Sequence, residues 1–533
     1  MKIKPRVYIY DSTLRDGAQT STVNFSAQNK IEIAKKLDEL GIDYIEGGWP
    51  GANPTDDEFF SNLPKLKKSQ FVSFGMTRRV NTSADNDNNL NAVINTEVNS
   101  VCIVGKSWDF HLKHALHISE QENLDIISDS LKHIIKRKKL AMFDAEHFFD
   151  GYKANPEFAL NVIKTAYNAK ARWIILCDTN GGTLPNEIFK IVQEVTKVIP
   201  GDYLGIHCHN DTGNAVANSI SAVEAGVRQV QGTINGLGER CGNANLITLI
   251  PTLSIKMGYD TGISETNLKN LVKTSNFLDD ILNKESDKFA PYVGKYAFAH
   301  KGGLHVSAVL KNASSYEHID PEKIGNHRKI MVSDQAGKSN IINRLKEIGL
   351  INDHKKLENK INDLVQKVKE LESQGYAYDG ADASFELLAK ESLTTIPKFF
   401  ELKSFSVVDE RINDDTKIKI LSSKAKIKVK INNKIINASS NGNGPVNALD
   451  NALRKCLIQK YSILEKVKLI DYKVRILTPS YGTKAITRVQ IESGDNEGKK
   501  WTTIGVSENI VDASFCALND SINYYLIIKN QKP

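Results

Sequence analysis

The sequence predicts an α/β chain whose first half closes into a (β/α)8 barrel, and three observations carry that prediction. Eight short runs rich in β-branched and aromatic residues recur at regular spacing through roughly the first 260 residues. Amphipathic stretches of helical period separate them. The residues with reactive side chains gather where the runs end, not across the helical stretches.

The runs are Val7–Ser12, Tyr44–Trp49, Phe71–Met76, Ser100–Val104, Leu140–Asp144, Trp173–Cys177, Tyr203–His207 and Gln229–Ile234. Strand and helix in alternation imply parallel βαβ units. Between the first two runs, Gln28–Leu40 places Ile31, Ile33, Ala34, Leu37 and Leu40 near helical spacing. Eight units in about 250 residues fit a closed TIM barrel. An open doubly wound sheet is the alternative that the strand count alone leaves standing. Arg15 and Asp16 follow the first run, Glu146 follows the fifth, Thr179 the sixth, and His207 and His209 close the seventh. Asn235 and the glycine-rich stretch to Asn243 follow the eighth. In a barrel these positions share the face that carries active sites.

The repeat stops near residue 265, which sets the barrel at 1–265, linker subdomains at 266–395 and a C-terminal α+β domain at 396–533. In the linker, Leu357, Ile361, Leu364, Val368 and Leu371 form one helical stripe, read as packing. The polar stretch Ser373–Ser384 reads as a linker or hinge. Beyond it, Ala425, Ile427, Val429 and Ile431 alternate with lysines, the pattern of a half-buried strand. Gly442–Pro445 is a turn. A helix follows at Asn447–Leu457, then strands at Val474–Leu477, Ala485–Glu492 and Trp501–Val506, and a last helix from Ile510.

His207-Cys208-His209 is the sharpest local signal. Residues i and i+2 of a strand project to one face, so two imidazoles can ligate one cation. Two buried structural histidines give the same pattern. Asp16 projects into the same barrel mouth, and Asn243 offers a carbonyl oxygen. Two imidazoles with oxygen ligands suit Mn²⁺, Mg²⁺, Co²⁺ or Zn²⁺. An open divalent ion can chelate a 2-oxo acid and polarise its keto carbon. Arg15 beside it can stabilise the alkoxide formed on attack; a plain ion pair between Arg15 and Asp16 is the other reading. Glu146 and His305 are candidates for proton transfer. His147 and His300 read as ordinary surface or core histidines. The glycines of GTINGLGERCGNAN (Gly232, Gly236, Gly238, Gly242) let backbone amides approach a phosphate, but at neither Walker nor Rossmann spacing.

Together the motifs resemble the DRE-TIM metallolyase superfamily. Asp11-Ser12-Thr13-Leu14-Arg15-Asp16-Gly17 resembles its D-x-T-L-R-D-G signature, His207–Asp211 its metal-binding strand, and Gly238–Asn243 the loop that follows. Phe298–His305 resembles the F-x-H-x-x-G-x-H stretch of the isopropylmalate, homocitrate and citramalate synthases. NGPVNALDNAL and WTTIGVSENIVDASF resemble their allosteric domain. Gly47–Pro54 and Asp144–Lys153 resemble the citramalate synthase branch. Ser307 departs from the H-x-D stretch of many isopropylmalate synthases.

The resemblance implies a cytoplasmic acyltransferase joining pyruvate to acetyl-CoA to give (R)-citramalate and CoA, on the way to isoleucine. It implies Asp16, His207, His209 and Asn243 as ligands of a divalent metal, Arg15 as the group polarising the keto oxygen, and Thr179 as the carboxylate holder. Glu146 with His305 would remove the methyl proton, and Tyr316 would line the site. Asn235, Gly236, Gly238 and Glu239 would touch CoA. It further implies a homodimer in which the segment carrying His305 and Tyr316 crosses over, and isoleucine as the allosteric inhibitor. A 2-isopropylmalate synthase acting on 2-oxoisovalerate, for leucine, is the nearest rival. An acyl-CoA lyase and a catalytically inactive effector-binding protein are the others.

The bulk numbers fit this reading. Hydrophobic content of 41% and charged content of 25% are ordinary for a globular protein. The net charge of +7 comes from 70 Lys and Arg against 63 Asp and Glu spread along the chain, with no basic block for nucleic acid. No apolar run reaches membrane-spanning length, and no apolar leader precedes the charged N-terminus. Six scattered cysteines suit a reducing compartment.

Overall fold

The eight runs form strands β1 (Tyr8–Asp11), β2 (Tyr44–Gly48), β3 (Gln70–Met76), β4 (Ser100–Lys106), β5 (Leu140–Glu146), β6 (Trp173–Asp178), β7 (Leu204–Cys208) and β8 (Gln229–Gly232). Neighbours in sequence pair in parallel, and β8 returns to β1 from Tyr8↔Gln229 to Asp11↔Gly232, closing the barrel. That closing ladder removes the open-sheet alternative. The computed structural model describes residues 4–331, 338–351, 357–414 and 417–533. The chain divides into two units, residues 1–298 with 319–327 and residues 299–318 with 328–533.

Strand parity decides what the barrel encloses. Ile9, Ile45, Val101, Ile103, Phe143, Ile174, Leu176, Ile206 and Val230 face outward and join the large core under the helices. Their neighbours Tyr10, Tyr44, Cys102, Met142, Trp173 and Ile175 pack together inside the barrel. The same alternation turns Glu46, Asp144, Glu146, His207 and Gln231 inward. The helix Ala27–Leu40 shows how the outer layer is specified: Ser26 caps its first turn through Asn29, and Ile33, Ala34, Leu37 and Leu40 are buried.

In the second unit, strands β9 (Glu401–Asp414), β10 (Lys417–Ile431) and β11 (Lys434–Gly442) form one antiparallel sheet. Strands β12 (Lys468–Ile476), β13 (Thr487–Gly494) and β14 (Lys500–Ser507) form another. Ala425, Ile427, Val429 and Ile431 are buried in one cluster with Ala448, Leu449, Ala452 and Leu453 of the helix Pro445–Leu457, while Lys424, Lys426 and Lys428 face out. The stripe on Glu358–Ser373 packs Ile361, Leu364 and Val368 against Ile341, Leu345 and Phe385.

Two features differ from the sequence reading. Strands β9 and β11 have no counterpart in it: β11 is half-buried at best and carries Ile435 63% exposed, so no apolar alternation marks it. The stretch read as a linker is packed in its second half. Tyr378, Ala381 and Ser384 are buried, and the Ser384 hydroxyl donates to Asp520 while accepting from the Ile504 N–H. Its small polar residues are satisfied inside the fold, which composition does not reveal. No helix among the described residues is long and apolar enough to cross a membrane.

Candidate active site and metal centre

Asp16, His207 and His209 meet at the mouth of the barrel. The reason is local in each case. Asp16 ends the tight turn after β1, with its N–H on Ser12 Oγ at 3.3 Å. His207 points inward from β7, and His209 lies just past the strand in a bridge with Asn243. Atoms able to ligate a metal ion on the three residues all lie within 4.8 Å of one another, and all three residues are buried. His207 Nε2 is 3.3 Å from Asp16 Oδ2 and 3.4 Å from His209 Nε2; His209 Nε2 is 3.8 Å from the same carboxylate oxygen.

The electrostatics suit a cation. Burial works to raise the Asp16 carboxyl, but Arg15 and the two imidazoles outweigh it and hold it well below the ordinary range. Burial, with His207 alongside, pushes His209 down to about 4, so it is a neutral ligand-type imidazole at pH 7. Asn243 is 2% exposed, and its Nδ2 donates to Leu237 O at 3.0 Å while its Oδ1 is buried without a hydrogen-bond partner among the described residues. A buried, unpartnered carbonyl on the residue that bridges to His209 fits the donor set of a divalent cation.

Arg15 lies next to this cluster but is anchored elsewhere. Its Nε donates to Glu46 Oε2 at 2.8 Å, whereas its nearest contact to Asp16 is 3.8 Å. The guanidinium sits over the Phe74 ring at 3.9 Å. Glu46 also accepts from Tyr10 and Ser12. Glu46 is absent from the candidates the sequence offers; the signal for it is a polar residue at an inward position of a strand with no exposed residue, and Asp144 and Gln231 carry the same signal.

Glu146, at the end of β5, accepts from Lys106 Nζ at the end of β4, a second residue the sequence reading omitted. Both line a largely apolar cavity of about 200 Å³ with Met76, Val104, Leu116 and Ile126. Thr179 Oγ1 accepts the His147 N–H at 2.8 Å, and His147 Nδ1 lies 3.3 Å from Asp150. His305 and Tyr316 belong to the second unit, where their rings stack at 4.2 Å. His300 is buried there on Glu317, which Arg328 also grips.

Three amides of the glycine-rich loop are engaged within the barrel. The N–H groups of Gly236, Gly238 and Gly242 are engaged by Thr233 O, Thr20 Oγ1 and Glu239 O. The Asn235 side chain is occupied by Ser275 and Asp279, and Glu239 is exposed near Arg240. The glycines are needed for close approach: a Cβ on Gly238 would lie 2.2 Å from Asn243 Nδ2, and one on Gly242 would lie 1.9 Å from Gly236 O. Backbone packing around Asn243 is thus one physical reason for these glycines.

A closed parallel barrel with a His-X-His strand, a buried acidic residue after β1 and a following α+β domain defines a class, and comparison with known families gives it a description. Residues 6–278 match the HMGL-like family, 292–376 the homocitrate synthase post-HMGL domain-like family, and 379–526 the LeuA allosteric (dimerisation) domain. The chain is 49% identical to an (R)-citramalate synthase of Aquifex aeolicus over 98% of both chains. It is 50% identical to one of Geobacter sulfurreducens over 98% of this chain and 97% of that one. A 2-isopropylmalate synthase of Methanocaldococcus jannaschii is 33% identical over 99% and 96%. The chain belongs to the (R)-citramalate synthase family.

Proposed function

We propose that the chain condenses pyruvate with acetyl-CoA to give (R)-citramalate and free CoA, in the cytoplasm, on the way to isoleucine. The observation that carries this reading is the convergence of Asp16, His207 and His209 beside an anchored Arg15, in a chain half identical to synthases of that name. Asp16, His207, His209 and Asn243 would hold a divalent cation of the Mn²⁺, Mg²⁺, Zn²⁺ or Co²⁺ kind. When bound, such a cation supplies Lewis acidity to a keto oxygen and a grip on the adjoining carboxylate.

The chain's own residues do the rest. Arg15, fixed by Glu46 and Phe74, faces the keto oxygen and stabilises the negative charge that grows there as the carbon–carbon bond forms. The Thr179 hydroxyl, already accepting from His147, has its hydrogen to give to the pyruvate carboxylate. Glu146, held by Lys106, works with His305 to take a methyl proton from acetyl-CoA, and Tyr316 lines the site beside His305. Water then hydrolyses the thioester and CoA leaves. In support of a homodimer that brings His305 and Tyr316 to Glu146, Leu304 is 77% and Tyr316 46% exposed on the single chain. The buried, unpaired thiols of Cys102, Cys177, Cys208 and Cys456 suit a reducing compartment. Isoleucine is the effector we assign to the C-terminal domain.

The test is thiol release from acetyl-CoA with pyruvate compared with 2-oxoisovalerate, each with and without added Mn²⁺. Metal-dependent release favouring pyruvate is expected. Preference for the branched acid would replace this reading by 2-isopropylmalate synthesis.

A further inference from the structure

Two buried polar side chains behind the site are used by none of the steps above. Gln231, at an inward position of β8, is 0% exposed; Asp144, inward on β5, is 4% exposed. A buried amide and a buried carboxylate inside a barrel cost free energy unless both are bonded, and they are bonded to each other. Gln231 Nε2 donates to Asp144 Oδ1 at 3.3 Å, and the Cys102 thiol donates to the same oxygen at 3.3 Å. The far end of the amide meets the metal-site histidine: His207 Nδ1 lies 2.9 Å from Gln231 Oε1.

We propose that Asp144 and Gln231 are positioning residues for His207, a two-residue relay that sets which imidazole nitrogen faces the cation; this rests on the metal-site reading above. The argument is one of donors and acceptors. An amide oxygen only accepts, so the proton of a neutral His207 sits on Nδ1 and the Nε2 lone pair points toward Asp16 and His209. A side-chain amide flipped end for end would present N–H to Nδ1 and reverse the tautomer. Asp144 prevents the flip, because its carboxylate accepts and so holds the NH2 end of Gln231 on its own side. The relay serves one histidine only: His209 Nδ1 is buried without a hydrogen-bond partner among the described residues.

The experiment is a titration of the full-length protein with Mn²⁺, read from the electron paramagnetic resonance of the free ion. Gln231→Met, isosteric but without the acceptor oxygen, should weaken Mn²⁺ binding by about 10- to 100-fold. Gln231→Glu, which keeps an acceptor, should recover most of it. Asp144→Ala should weaken binding in the parent and add nothing in the Gln231→Met background, since it acts through the amide. Parent-like binding by Gln231→Met overturns the relay. So does a Gln231→Glu variant no better than Gln231→Met, or an Asp144→Ala loss of equal size in both backgrounds. A parent that binds no Mn²⁺ sinks the metal-site reading itself, and the relay with it. Should Gln231→Met not fold, ¹⁵N-histidine spectra of the parent decide: a proton on Nδ1 of His207 upholds the relay, and one on Nε2 ends it.

Discussion

Arg15 and Glu46 form an ion pair 31 positions apart in sequence, with Nε 2.8 Å from Oε2 and the carboxylate wholly buried on β2. The adjacent Asp16 is a full ångström farther from the guanidinium, which leaves that carboxylate's oxygen turned to the two histidines. One arginine thus adds positive charge beside Asp16 while leaving its carboxylate oxygen to the two histidines.

Glu46→Gln follows directly. It leaves the Arg15 cation without its charged partner, so the fold should lose about 3 kcal/mol by urea unfolding. The rate constant for condensation should fall on the order of 10²-fold, because the group facing the developing negative charge is no longer fixed. A variant with unchanged kcat would show that Arg15 is held in place by Phe74 and the loop alone.

Chelation and mutation of the ligands should agree. Removing divalent cations should stop turnover, and added Mn²⁺ should restore it in the parent but not in His209→Ala. Circular dichroism of that variant should match the parent. Full activity in a chelator-stripped preparation would end the metal reading.

The glycine loop separates packing from chemistry. Gly242→Ala places a methyl 1.9 Å from the Gly236 carbonyl oxygen at φ +87°, so the loop carrying Asn243 must move. Stability should drop by roughly 1–3 kcal/mol, and Mn²⁺ binding should weaken with it. Gly213→Ala, at φ +73° with open space around its Cβ, is the control. It should cost only about 1–2 kcal/mol and leave Mn²⁺ binding alone.

Asp520 makes the second unit sensitive to pH. Burial pushes its carboxyl up to about 7, with the Ser384 hydroxyl partly countering that and Glu391 adding to it. The folded state therefore keeps a proton that the unfolded chain releases near pH 4. Between those values the native form binds more protons, so stability should fall as pH rises from about 4 to 7 and level off above. Asp520→Asn, which keeps an acceptor for Ser384, should flatten that slope in thermal unfolding monitored at the second unit's Trp501. An unchanged slope would place the titration elsewhere.

The barrel was legible because its information is periodic. Alternation along Leu140–Glu146 or Leu204–Cys208 shows in any window of a few residues, and strand parity already aims His207 and Glu146 inward. Asp16, His207 and His209 were legible for the same reason, as side chains at strand ends. Glu46, Lys106 and Gln231 were not. Each is a single polar residue whose partner, Arg15, Glu146 or His207, lies 24 to 40 positions away, and no local pattern distinguishes it. Strand β11 carries no sequence signal because its residues are all exposed or half-buried: of the half-buried positions only Ile436 and Ala438 are apolar side chains, and the apolar Ile435 faces out.

The sequence by itself determined the eight strands, their inward and outward parity, and the gathering of Asp16, His207 and His209 at one end of the barrel. Only the tertiary structure decided the pairings: Arg15 with Glu46 more closely than with Asp16, Gln231 with His207, the glycine loop with Asn243. The reason is geometric. Period and propensity act between residues a turn or a strand step apart, whereas these contacts exist only once β1 to β8 have closed, and closure fixes which inward side chains become neighbours.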